Sequence, residues 1–282
     1  MRDSSAQGLI AWKERLAHLS MSGDAAILLL YSVALCVIAG VERYLVGSSS
    51  DGLVDFNAGE ILALCAIYSV VTAKATEVAL SRADLAVISA CALLMLLPVS
   101  QHFAFLGAGA AGLYFVLRNP RSAPLSQVGL LWLALSFYES FSQLLFKFVS
   151  ASWIQAEVRF VAWTGPFLGF PITRDGIRLV SPNGWFIFML EQCSSFSNIA
   201  LAILLWLSLL TLAGAEIHRR HLVALGVAAL SIFLLNALRV LLMTPSQPDW
   251  HFWHEGTGAL IFSGVTFLAV ALPTALSLRS RA

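Results

Sequence analysis

The chain has 282 residues, 59% of them hydrophobic and 12% charged, with net charge +1 and a mean hydropathy of +0.81. Soluble domains carry about a quarter charged residues, so this composition describes a polytopic membrane protein whose first partner is the lipid bilayer. The near-neutral balance, with no basic tail and no interleaving of Arg with aromatics, speaks against nucleic-acid binding.

In chain order, residues 1–24 form a mixed arm with Arg2, Lys13 and Arg15. No small-residue cleavage site follows it, so a retained cytoplasmic arm is expected rather than a signal peptide. No linker or repeat divides the remainder, and 25–282 is expected to form a single membrane-embedded domain. Apolar runs cover 25–41, 58–73, 85–99, 103–117 and 128–149. The fifth contains Glu139, an ionisable group at membrane depth and therefore a candidate for function or for polar helix–helix contact. A polar interruption follows, expected as a loop over 150–184 that carries Arg159, Arg174 and Arg178. Three further runs cover 184–214, 222–243 and 258–278. The first is too long for one perpendicular span, so 196–213 is taken as the span proper and 185–190 as an interfacial lead-in.

The pattern predicts an all-α bundle of about eight transmembrane helices. With both termini inside, most of the 17 Lys and Arg fall in cytoplasmic segments, among them Lys74, Arg82, Arg118, Arg121, Arg219 and Arg220. That register places the loop 150–184 and the start of the sixth span on the outer face of the cell membrane.

Of four cysteines, Cys36, Cys65 and Cys91 lie inside apolar runs, where a thiol is a small hydrophobe. Cys193 differs, because it stands at the water-facing end of a span within Glu191-Gln192-Cys193-Ser194-Ser195. Arg239 lies near the outward end of the seventh span, and His251 and His254 in the short loop 245–257. Asn236, three residues before Arg239, shares its helical face. A thiol, a cation and an imidazole thus reach one membrane face, which is the set of groups that acyl transfer requires. Each has a plain alternative: packing for the thiol, snorkelling for Arg239, an interfacial aromatic for His254. A transporter lined by Glu139 and Arg239, or a non-catalytic scaffold, remains open on the residues alone. No cofactor is expected. His251, His254 and Glu255 lack a third and fourth metal ligand.

The segment Gly169-Phe170-Pro171-Ile172-Thr173-Arg174-Asp175-Gly176, leading into Glu191-Gln192-Cys193-Ser194, resembles the signature region of the exosortase/archaeosortase family. So do Asn236-x-x-Arg239 and His254 followed by Gly258. Ser195 and Ser197 depart from the family pattern, which usually has Gly and often Arg there. The resemblance implies a membrane cysteine protease or transpeptidase, with Cys193 as nucleophile, Arg239 as essential cation and His254 as acid/base partner. It also implies substrates: secreted proteins with a C-terminal tail of short motif, membrane helix and basic end. Asn236, Glu191 and Ser194 are expected to support the site, Glu191 by orienting the loop. Arg174 and Arg178 are expected to read the substrate motif. A nearby cation is expected to lower the pKa of the thiol.

Overall fold

A computed structural model describes residues 22–46, 58–95, 101–190 and 193–279. Inter-residue contacts divide it into two compact units: Met1–Phe56 with Leu64–Trp132, and Asn57–Ala63 with Leu133–Ala282.

The first unit is helical. It contains α1 (Gly23–Val46), most of α2 (Ala58–Ala73), α3 (Arg82–Met95), α4 (Gln101–Arg118) and the start of α5 (Pro124–Ser136). Its core forms around Trp132, fully buried between Tyr31 and Phe115, with ring centroids at 4.7 and 5.6 Å. Indole burial requires a partner for its N–H, and Ser32 Oγ accepts it at 2.8 Å. Gly129 lets α5 lie directly on α4, because a Cβ there would come 2.7 Å from the Gly112 carbonyl. Asp84 closes the α3 N-terminus by accepting the Ser81 N–H at 2.8 Å, and Arg118 pairs with its other oxygen at 2.7 Å.

The second unit carries every described residue singled out for chemistry. From α5 a π-helical turn, Phe137–Phe141, leads without a break into α6 (Ser142–Thr164). Glu139 is buried in that turn. A 3-10 turn, Pro166–Leu168, then precedes a sheet of β1 (Thr173–Asp175), β2 (Arg178–Val180) and β3 (Phe186–Phe188). The chain finishes with α7 (Phe196–Leu212), α8 (Arg219–Met243), α9 (Gln247–His254) and α10 (Thr257–Arg279). Helix α8 packs on α6, α7, α9 and α10, and the sheet lies against α6.

Three local expectations change. Residues 150–164 are not loop: α6 continues to Thr164, with Glu157, Val158 and Val161 on its buried face and Arg159 outside. The irregular segment therefore begins at Gly165. The expected lead-in at 185–190 contains β3, so the bundle carries one small antiparallel sheet, in order β1-β2-β3. Its turns account for it. Gly176 (φ +61°) starts the two-residue loop between Asp175 and Arg178, and Gly184 (φ +84°) completes the loop after Ser181, both positions where hairpins demand positive φ. Finally, 247–254 is helix rather than loop. Ser246 caps it by accepting the Asp249 N–H, and Pro248 occupies its first turn, where a missing N–H costs nothing.

Among the described residues, four helical stretches are long and apolar enough to cross a bilayer: Gly23–Val41, Pro124–Thr164, Arg219–Met243 and Thr257–Arg279. Shorter apolar helices cover Ala58–Ala73, His102–Arg118 and Phe196–Leu212. The chain is a multi-pass helical membrane protein.

Candidate active site

Cys193 lies in the turn that feeds α7, its N–H bonded to the Leu190 carbonyl at 3.0 Å. Its side chain is 5% exposed and sits in a cluster with Val158, Val161, Ile187, Met189 and Val240. The residues after it are pinned individually. Ser194 Oγ accepts the Phe196 N–H at 3.2 Å, and the Ser195 N–H donates to Glu157 Oε1 at 2.8 Å. These contacts satisfy donors that the first turn of a helix leaves without intrahelical partners. Cys193 also stands three residues before the positive end of α7.

Helix α8 supplies the next contacts from one face. Asn236 Nδ2 donates to the Cys193 carbonyl at 2.8 Å. One turn on, Arg239 donates through Nε to the Trp253 carbonyl at 2.9 Å and through Nη2 to the His254 carbonyl at 3.4 Å. Its guanidinium also lies over the Phe262 ring of α10, 4.7 Å from the centroid. Two residues spaced i, i+3 therefore bind the Cys193 turn and the helix of His254 to the same span.

His254 stacks on Trp250, with centroids 4.6 Å apart and planes 14° from parallel. Its Nδ1 is buried without a hydrogen bond among the described residues, 4.0 Å from Glu255 Oε1. His251 is separated from it by exposure: its Nδ1 meets Glu255 Oε2 at 3.1 Å, and both side chains are more than half exposed. Gly258 fits here because a Cβ would come 2.7 Å from the Phe252 carbonyl and 2.8 Å from the Trp253 ring. The start of α10 can approach α9 only at a glycine.

Burial is the largest influence on both titrating groups. It pushes the Cys193 thiol up. The Leu190 hydrogen bond and Arg239 pull it down, and Glu157 adds to the rise. The expected lowering by a cation is therefore present but outweighed by desolvation. Burial, then Arg239, lowers His254, with Glu255 opposing. Both directions favour the neutral forms at neutral pH, a thiol at Cys193 and an uncharged imidazole at His254.

The two arginines expected to read substrate stand apart from this constellation, on the sheet. Arg174 is exposed and turns back to the Gly176 carbonyl at 2.9 Å. Arg178 lies over Phe186 and Phe188, at 5.3 and 4.7 Å from their centroids. Glu191 falls outside the described residues. Among the described residues no group of three or more His, Cys, Asp or Glu is arranged to hold a metal ion.

Glu157 is the residue that the sequence reading did not single out. It is 3% exposed, and Oε2 has no hydrogen-bond partner among the described residues. With Asn236 it lines a narrow crevice walled by Val161, Met189, Phe233 and Ala237. Had 150–164 been read as helix, the pairing of Glu157 with Val158 and Val161 on one face would have marked it. Its charge has a measurable consequence. Glu157→Gln keeps a carbonyl acceptor for Ser195 but removes the negative charge that raises the thiol. The pH midpoint of Cys193 alkylation by iodoacetamide, read by peptide mass spectrometry, is expected to move to lower pH. An unchanged or higher midpoint would show that the carboxylate does not act on the thiol.

With this geometry in view, comparison with known proteins is specific. The family model described as transmembrane exosortase (Exosortase_EpsH) matches residues 8–271, nearly the whole chain. No curated protein and no solved structure matches the chain. Membership implies a membrane protein-sorting enzyme whose substrates are proteins in a membrane. Given a match over both units and through every motif above, the chain belongs to the transmembrane exosortase family.

Proposed function

We propose that the chain is a cysteine peptidase or transpeptidase that removes a C-terminal sorting tail from secreted proteins at the outer face of the cytoplasmic membrane. The tail consists of a short motif, a membrane helix and a basic end. The layout we infer is a single domain of about eight spans with both termini in the cytoplasm.

The observation that carries this reading is the Asn236–Arg239 face of α8, which holds the Cys193 carbonyl and the His254 carbonyl one helical turn apart. Starting from neutral thiol and neutral imidazole, His254 takes the Sγ proton as sulfur attacks the scissile carbonyl. The resulting oxyanion is met by Arg239, whose Nη1 is not engaged by any described residue. Collapse breaks the C–N bond, the imidazolium protonates the leaving amine, and a thioester on Cys193 remains. His254 then deprotonates an amine or water, which attacks the thioester and restores the thiol. Ser194 supports the turn through its bond to Phe196, while Arg174 and Arg178 belong to substrate recognition on the sheet.

The thioester is the testable intermediate. Membranes containing the full chain, mixed with a tail-bearing secreted precursor of the same host and quenched in acid, are expected to hold a covalent adduct at Cys193. Neutral hydroxylamine should release it. If turnover proceeds while no hydroxylamine-labile adduct forms at Cys193, the nucleophile assignment fails.

A further inference from the structure

The three-stranded sheet has an open edge that runs into the nucleophile turn. Ladder bonds at its two ends establish the alternation: the Ser181 N–H donates to Trp185 O at 2.8 Å, and the Met189 N–H to Ile177 O at 3.0 Å. In an antiparallel pair, residues alternate between facing the partner strand and facing away. With Leu179 opposite Ile187, the N–H and C=O of Ile187 face β2. Those of Phe186 and Phe188 therefore point away from the sheet. No described residue bonds them, and the two side chains are 42% and 41% exposed. Leu190, one residue beyond Met189, is 54% exposed and accepts the Cys193 N–H at 3.0 Å.

This edge is fixed in place. Leu179, Ile187 and Met189 are buried in the cluster that contains Cys193. Asn183 Nδ2 donates to the Pro245 carbonyl at 2.8 Å, and Ser181 Oγ donates to the Thr244 carbonyl, so the β2–β3 loop is tied to the end of α8. The edge is also short and carries no proline, and the Arg178 guanidinium lies over the rings of Phe186 and Phe188.

Family membership supplies the occupant's class, a protein substrate. A peptide bond within a helix has its carbonyl hydrogen-bonded, so a bond to be attacked must be presented in extended form. Extended backbone that leaves water needs partners for its N–H and C=O groups. An edge strand provides them at the spacing that such a chain repeats.

We propose that the outer edge of β3 binds the segment of the substrate beside its scissile bond as an added strand, through the backbone of Phe186 and Phe188, and delivers it to Cys193. This rests on Cys193 being the nucleophile.

Proline separates backbone recognition from the side chain. At 186 or 188 it removes an N–H that faces out of the sheet, a position where edge strands tolerate it. Conversion of the tail-bearing precursor is followed in host membranes for Phe188→Pro against Phe188→Ala, and for Phe186→Pro against Phe186→Ala. Each Pro variant is expected to convert at least about tenfold more slowly than its Ala counterpart at equal membrane levels, the loss of a docking bond to a desolvated donor. Equal rates within both pairs would overturn the proposal. If the Pro variants fail to assemble, a photo-crosslinking benzophenone side chain placed at 188 in Cys193→Ala protein decides. A crosslink to the precursor supports the added strand, whereas one only to a second copy of this chain, or none, overturns it. Should Cys193→Ala itself leave conversion unchanged, the nucleophile reading fails, and the crosslink alone judges the edge.

Discussion

Cys193→Ala is expected to stop tail removal completely, while Cys65→Ala proceeds at close to the parental rate. The two differ in setting rather than in chemistry. Cys65 is exposed on α2, in an apolar helix that carries none of the contacts described for the thiol turn. Cys193 is buried beside Arg239 and Glu157 at the start of α7. Removing the nucleophile of a covalent enzyme typically costs about 10⁶ in turnover, well below detection for a membrane-processing assay. Alanine fills the site without strain, so membrane levels should hold. Precursor and product, resolved by mass in membranes expressing each variant, give the answer. Equal processing by both variants would remove the cysteine from the mechanism and leave a scaffold or transport role to explain the family fold.

Arg239→Gln is expected to lower processing by about 10²–10³, the usual cost of losing one charged donor to a developing oxyanion. Arg239→Lys should fall nearly as far. A lysine has the charge but not the planar fork, and its N–H groups radiate from one nitrogen where Arg239 meets the Trp253 and His254 carbonyls with two. The loss should appear mainly in kcat, because the donor acts on the transition state and on the placement of His254. A second signature separates charge from geometry. Without Arg239 the downward influence on the Cys193 thiol is gone, so its alkylation midpoint should rise in Arg239→Gln and stay nearly in place in Arg239→Lys. This is the opposite sign to Glu157→Gln. If Arg239→Lys retains full turnover, the bidentate hold on α9 has no catalytic consequence.

Much of this was legible in the chain. The apolar runs at 25–41 and 58–73 became α1 and α2, and the division of the run 184–214 at Phe196 matches the start of α7. Asn236 and Arg239 were assigned to one face from spacing alone, and both reach partners beside Cys193 and His254. The choice between His251 and His254 was not legible, since both stand among the same aromatics. Exposure separates them only once α9 is packed, with His254 on Trp250 and His251 facing Glu255. The helix over 150–164 was not legible because polar residues there obscured its buried face. Gln155 and Arg159 face outward, and the buried Glu157 has its partner at Ser195, 38 residues later in the chain.

Composition and patterning settle the solvent and the class: a chain with 12% charged residues and repeated apolar runs has to bury itself in a bilayer as helices. They also single out the candidates: a thiol, a guanidinium and an imidazole at span ends. The surroundings of these groups come from the folded arrangement. Burial of Cys193 outweighs the cation beside it, Glu157 enters from α6, and β3 turns the backbone groups of Phe186 and Phe188 away from its sheet partner. Desolvation and long-range hydrogen bonds depend on what surrounds an atom in space. Hydropathy and spacing record only its neighbours along the chain.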